Sequence, residues 1–345
     1  MARQSSPGNE RRADRSGILP GTSERKGPAI DQRTAVAAEQ NDAVERRGAR
    51  RIATPVGSSR VGQALLSVAQ PGLAAVLAVG GLPSLRVVLV GPVAAAAGFL
   101  AVFSLNDLFE GRVAAVASPV GAGGAARRVA AGGRRRRALA RGERSPRLAL
   151  AWVLSLGALG AALAFTLAPL CLLLFGVAVA LDVAYCALRS VTAWKTLVAG
   201  AMVGFGGLAG WAAVAPLSPR ALTVFGFLAL WEIGGRDLAR DLVDLEADRR
   251  GGVTTVATVH GPYAAARAVC VVGFAALAAT VTLPMTGGSL NDLAVVAGVF
   301  IVAWPGARLW HEPTSAEAAA YLDRVSFYPA AILLVALLPA LVRAL

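Results

Sequence analysis

Beyond residue 60 the chain carries fourteen acidic residues, and six of them fall between positions 232 and 248: Glu232, Asp237, Asp241, Asp244, Glu246 and Asp248. At ~100° per residue, Asp237, Asp241, Asp244 and Asp248 lie within about 60° of one another on a helix. Like charges stacked at such intervals repel, and a divalent cation between them would relieve the cost. A second group, Asn106, Asp107 and Glu110, sits in Ser104-Leu-Asn-Asp-Leu-Phe-Glu-Gly-Arg112, again at helical spacing. Donors that are all oxygen suit Mg²⁺, which keeps several waters and bridges carboxylates to substrate phosphates. Two such groups at one depth, on different helices, could face each other across a cavity. The competing reading of each group alone is a set of solvated charges beside a membrane.

The elements that must carry these groups are membrane helices. Hydrophobic residues make up 56% of the 345 and charged residues only 16%, against roughly 25% in soluble domains. A chain this poor in charge needs lipid to cover it. Nine apolar runs follow one another, at about 62–82, 85–106, 147–167, 169–187, 195–215, 219–238, 262–283, 290–310 and 326–343. Each approaches the ~20 residues that span a bilayer as a helix. Gly204, Gly206, Gly207 and Gly210 in the fifth run permit close helix approach.

Arginine and lysine set the expected orientation. The joints after runs two, four, six and eight carry Arg112, Arg127, Arg128, Arg134 to Arg137, Arg141, Arg144 and Arg147; Arg189 and Lys195; Arg236, Arg240, Arg249, Arg250 and Arg267; and Arg308 and Arg324. The other joints hold only Arg86 and Arg220. The positive-inside rule then puts the even joints and the N-terminus in the cytoplasm and the C-terminus outside. The net charge of +13 is therefore a topology signal in a cell-membrane protein, with no nucleic-acid partner implied. Residues 1–60, rich in Arg, Glu, Ser, Gly and Gln, are expected to be a disordered basic tail. Residues 61–345 form the membrane domain, with 113–147 a basic low-complexity loop. Cys171, Cys186 and Cys270 lie in apolar stretches without ligand spacing and read as packing residues.

Asn106-Asp107-Leu-Phe-Glu110 resembles the first aspartate motif, NDxxDxxxD, of the UbiA superfamily of intramembrane prenyltransferases. Asp241-Leu-Val-Asp244-Leu-Glu246-Ala-Asp248-Arg249-Arg250-Gly-Gly252-Val-Thr-Thr255, followed by His260-Gly261, resembles the second. Tyr185-Cys-Ala-Leu-Arg189 is similar to the Tyr…Leu-Lys-Arg stretch before the family's fifth helix. The resemblance covers about residues 60–345. Three features depart from the pattern. Ala114 stands where the first motif has its third acid, and Glu110 where Asp is usual. The stretch 113–147 lacks the Arg-Pro-x-x-x-Gly segment. Gln70-Pro71 stands where many members have Arg-Pro.

The resemblance implies an all-α, polytopic fold: nine transmembrane helices in a UbiA-like bundle, with a central cavity open to the cytoplasmic side. It implies Mg²⁺-dependent transfer of a prenyl group from an allylic polyprenyl diphosphate to a small-molecule or lipid acceptor. Asn106, Asp107 and Asp241 would be catalytic. Asp107 and Glu110 would hold one Mg²⁺, and Asp241, Asp244 and Asp248, with Asp237, another. Arg189, Lys195, Arg240 and Arg249 would bind diphosphate, and Phe103, Phe109, Tyr185 and Trp231 would shield the cation. Asp182 would meet the acceptor or pair with Arg189. A UbiA-type terpene cyclase would use the same diphosphate but trap the cation internally. A transporter or a non-catalytic scaffold is the alternative of another class; acids gathered at one membrane face rather than the midplane speak against transport.

Overall fold

A computed structural model describes residues 60–116 and 146–344, and over them the chain is helical, with no strand among the described residues. The expected tail and most of the basic loop lie outside the described residues. The elements are α1 (Arg60–Val79), α2 (Leu85–Val116), α3 (Pro146–Leu167), α4 (Pro169–Leu188), α5 (Lys195–Ala212) and α6 (Pro219–Leu230). A π-helical turn, Trp231–Asp237, then leads through α7 (Leu238–Val243) and α8 (Leu245–Gly251) to α9 (Val256–Ala279). Beyond them lie α10 (Gly288–Gly298), a second π-helical turn (Val299–Ala303), α11 (Trp304–His311), α12 (Ser315–Val325) and α13 (Tyr328–Ala344).

Each of the nine apolar runs lies on helix. Pro169 and Pro219 open α4 and α6 at first-turn positions, where the missing N–H costs no hydrogen bond and φ is already helical. Six segments among the described residues are long and apolar enough to cross a membrane: Leu85–Asn106, Arg147–Leu167, Pro169–Leu188, Val256–Thr282, Gly288–His311 and Ser315–Val342. The other three runs fall short for physical reasons. The apolar part of α1 is the short Leu66–Val79. α5 has 18 residues, is rich in glycine and opens on Lys195. α6 runs into the charged turn Glu232, Arg236 and Asp237.

The bundle is apolar outside as well as inside, as lipid requires. Leu89, Leu222, Val271 and Phe300 are more than 60% exposed. The core joins α1, α5, α6, α9, α12 and α13 through Leu73, Val203, Phe227, Leu228, Val269, Tyr321 and Tyr328. α1 and α5 touch backbone to side: a Cβ at Gly210 would sit 2.1 Å from the Pro71 carbonyl oxygen, so only glycine allows this crossing.

Two elements were not visible as hydropathy. α12 is a short amphipathic helix ahead of the ninth run, burying Ala318, Tyr321 and Val325. The first π-turn replaces what the apolar pattern presents as plain helix. It contains Gly234-Gly235, and its wider ladder turns Glu232, Arg236 and Asp237 inward together, all buried. π-turns of this kind recur at functional sites.

Candidate diphosphate and metal site

Three helix ends build the site. α4 presents Asp182, Tyr185, Cys186 and Arg189, spaced three, four and seven residues from the first, along one face. The Tyr185 hydroxyl donates to Asp237 Oδ1 at 2.8 Å. Cys186 Sγ donates to Asn106 Oδ1 at 2.7 Å. An Arg189 guanidinium nitrogen lies 3.8 Å from Asp248 Oδ1. One turn of α4 therefore touches both acidic motifs, and the two motifs meet at the same end of the bundle.

Lys195, the first residue of α5, is 1% exposed. Its Nζ donates to Asp241 Oδ1 and to the Tyr185 hydroxyl, each at 3.4 Å, and lies 5.0 Å from the centre of the Tyr185 ring. The ring face adds a cation–π attraction. Tyr185 thus ties Asp237 to the lysine that holds Asp241.

The shared face expected for the second motif survives a break. The helix pauses at Asp244 (φ −93°, ψ 6°), but Asp244 N–H still donates to the Arg240 carbonyl and Asp248 N–H to the Asp244 carbonyl, at 2.9 and 2.8 Å. Asp237, Asp241 and Asp248 are buried and Asp244 half-buried. Gly252, left-handed at φ 66°, ends α8, a conformation glycine adopts without steric cost. The Thr255 side chain and Thr258 then cap α9 reciprocally, which anchors the motif's trailing segment.

Burial above all, then the neighbouring Asp237 carboxylate, pushes the Asp241 carboxyl up to about 8, against the pull of Lys195. Burial works against the charge on Arg240, yet Glu232 and Asp237 outweigh it and hold that guanidinium above its ordinary range. A buried Glu232–Arg236 pair at 3.2 Å lies beside it, with Arg236 over the Trp231 ring.

Not every expected residue joins the cluster. Arg249 pairs at 2.9 Å with Glu246 on the exposed side of α8. Asp107 and Glu110 lie on α2, one and four residues past Asn106, but their side chains are outside the described residues. Asp182 does not pair with Arg189; neither of its carboxylate oxygens has a hydrogen-bond partner. Ser67 and Gln70 on α1 are also buried with unpartnered polar atoms. Cys186 is more than packing, since its thiol holds Asn106; a position one residue after Tyr185 was the signal available for it.

Among the described residues no three His, Cys, Asp or Glu side chains close into a ready metal cage. Mg²⁺ does not require one, because it is usually held by one or two carboxylates with phosphate oxygens and water. The donor set fits that pattern: the acids are oxygen donors, and Asp237 Oδ2 is buried without a partner.

The fold and this site define a multi-pass helical membrane protein with carboxylates gathered at one end of its bundle. The chain belongs to the UbiA prenyltransferase family, whose model matches residues 65–338. Among solved structures it is similar to the apo form of a UbiA homologue from Aeropyrum pernix K1, at 19% identity and a TM-score of 0.63, covering 83% of this chain and 100% of that one. A UbiA homologue from Archaeoglobus fulgidus bound to DMAPP and Mg²⁺ matches at 16% identity and a TM-score of 0.54, over 80% of this chain and 99% of that one. A digeranylgeranylglyceryl phosphate synthase structure matches at 16% identity and a TM-score of 0.56, over 80% and 94%. No curated protein matches the chain.

Proposed function

We propose that this protein is a Mg²⁺-dependent prenyltransferase that ionises an allylic polyprenyl diphosphate and passes the prenyl group to a small-molecule or lipid acceptor within the membrane. The observation that carries the reading is the single turn of α4 whose Tyr185 and Cys186 touch Asp237 and Asn106. Asn106 of the first motif and Asp237 of the second thereby share one turn of α4 as a neighbour, which supports a diphosphate lying between the two motifs. Family membership supports the same reaction class, and the Archaeoglobus homologue holds DMAPP with Mg²⁺.

Bound Mg²⁺ supplies charge stabilisation to the departing diphosphate. Asp107 and Glu110 would hold one ion on the α2 side, and Asp237, Asp241, Asp244 and Asp248 another on the opposite side, with Asn106 orienting a ligand or bound water. Lys195, Arg189 and Arg240 would face phosphate oxygens, where charge builds as the C1–O bond breaks. Lys195, now tied to Asp241, is placed to exchange that carboxylate for a phosphate oxygen. The arginine-bearing joints support a topology with this end in the cytoplasm, the N-terminus on the same side and the C-terminus outside. The prenyl tail runs from it into the apolar bundle.

The test uses purified protein in lipid nanodiscs with labelled geranylgeranyl diphosphate. Diphosphate release should require Mg²⁺ and fall by at least about 100-fold in Asp107→Asn and Asp241→Asn, the scale of lost transition-state charge stabilisation. Release that persists in chelator, or in both variants, refutes the proposal. A cyclic product formed without acceptor would instead identify a cyclase.

A further inference from the structure

Of the four side chains on the polar face of α4, three are bound to the motif residues and one is not. Tyr185 holds Asp237, Cys186 holds Asn106, and Arg189 lies beside Asp248. Asp182 is fully buried, at 0% exposure, and both of its carboxylate oxygens are without a hydrogen-bond partner. The one side chain that reaches toward it is Asn106, a neutral group that brings no charge to match the carboxylate. One helical turn, ~5.4 Å, separates it from the layer of Tyr185 and Cys186, on the side away from Arg189 and therefore toward the membrane interior.

A carboxylate held there with no cation beside it among the described residues is costly to the fold. Ionisable groups inside membrane spans are functional by default. The polar layers along α4 are ordered: Arg189 at the level of Asp248, Tyr185 and Cys186 at the level of Asp237 and Asn106, then Asp182 one turn deeper. A diphosphate bound by the outer layers directs its C1 carbon and prenyl tail inward, toward the level of Asp182.

We propose that Asp182 is the base that receives the proton released when the prenyl cation is captured; this rests on the prenyl-transfer reading above. The C1–O bond breaks and its electron pair leaves on the diphosphate. An electron pair of the acceptor, from a hydroxyl oxygen or an electron-rich aromatic carbon, forms the new bond to C1. The attacking atom then carries one proton too many. Its bond to hydrogen breaks, the electrons return to the oxygen or, for an aromatic carbon, restore the ring π system, and the proton passes to an Asp182 carboxylate oxygen. The balance is allylic diphosphate, neutral acceptor and carboxylate on one side; prenylated acceptor, diphosphate and carboxylic acid on the other. The proton leaves to water when products depart. A carboxylate at this depth also selects a neutral, proton-bearing acceptor over an anionic one.

The experiment separates ionisation from capture. Geranylgeranyl diphosphate carrying ¹⁸O in the C1–O bridge is incubated with Mg²⁺, the full-length protein and a lipid extract of the source membranes. Migration of ¹⁸O to non-bridging positions reports ionisation and return, and labelled product reports capture. Binding of a geranylgeranyl thiolodiphosphate is measured alongside. Asp182→Asn should bind the thiolodiphosphate and exchange ¹⁸O as the native protein does. Its product formation should fall by about 100-fold or more, the usual contribution of a general base, and Asp182→Glu should recover part of it. Native product formation in Asp182→Asn overturns the inference. Loss of thiolodiphosphate binding or of exchange in that variant also overturns it, because Asp182 would then belong to the diphosphate site or the fold. Exchange without product in the native protein leaves no proton to accept and overturns the inference alone. Absence of exchange in the native protein overturns the prenyl-transfer reading itself.

Discussion

Lys195→Met removes a buried charge while keeping most of the side-chain volume, and its effect can be worked from the site. Lys195 Nζ lies 3.4 Å from Asp241 Oδ1. At an effective dielectric constant of ~20 the gross attraction at that distance is about 5 kcal/mol. Both groups are desolvated, so the measured loss is set by the carboxylate left behind, about 3–5 kcal/mol for a broken buried pair. That cost applies above pH 8, where Asp241 is ionised. Lysine and Mg²⁺ compete for the same carboxylate, so the variant should bind Mg²⁺ more tightly than the native protein. Tenfold tighter binding would narrow the stability deficit by about 1.4 kcal/mol. The assay is unfolding by SDS in mixed micelles, with chelator and with saturating Mg²⁺. A deficit below ~1 kcal/mol, or one that Mg²⁺ leaves unchanged, would refute the assignment of Lys195 and the metal to one carboxylate.

Other consequences separate residues that the sequence grouped together. Arg249 spends its charge on exposed Glu246, an interaction worth about 0.2–1 kcal/mol, so Arg249→Ala should leave thiolodiphosphate affinity within about twofold. Arg189→Ala should weaken it by about tenfold or more, the scale of a hydrogen bond to a charged group, in the same calorimetric titration. Gly210→Ala places a methyl 2.1 Å from the Pro71 carbonyl oxygen, and prising α1 from α5 should cost about 1–3 kcal/mol in the unfolding assay. Because burial and Asp237 push Asp241 up to about 8, a proton must leave before the carboxylate can take a metal ion. Apparent Mg²⁺ affinity should therefore fall as pH drops below 8, by up to about tenfold per unit. Asp241→Asn should flatten that slope.

The membrane class was legible because lipid leaves a signal in every run: apolar residues on all sides, few charges and arginine on alternate joints. Helix spacing also placed Asp241 and Asp248 on one inward face, and family resemblance singled out Tyr185 and Arg189. What the pattern left out depends on three-dimensional partners. A π-turn differs from an α-turn by one residue in its hydrogen-bond ladder, and hydropathy does not register that change. Glu246-Ala-Asp248-Arg249 reads as one charged string, yet the helix rotates Asp248 inward and Glu246 and Arg249 to the surface. Cys186 in an apolar stretch reads as packing until Asn106, eighty residues earlier in the chain, arrives against its thiol. Asp182 was visible as an acid near the inner end of its run; that no cation meets it among the described residues emerges only from the packed bundle.

The most direct measurement is a structure of the protein with Mn²⁺ in place of Mg²⁺ and a geranylgeranyl thiolodiphosphate, with manganese located by its anomalous signal. Manganese and diphosphate density bounded on one side by Asp107 of α2 and on the other by Asp241, beside Lys195, is the expected result. Manganese elsewhere, or a diphosphate held by the basic residues with the two acidic groups apart, would contradict the account.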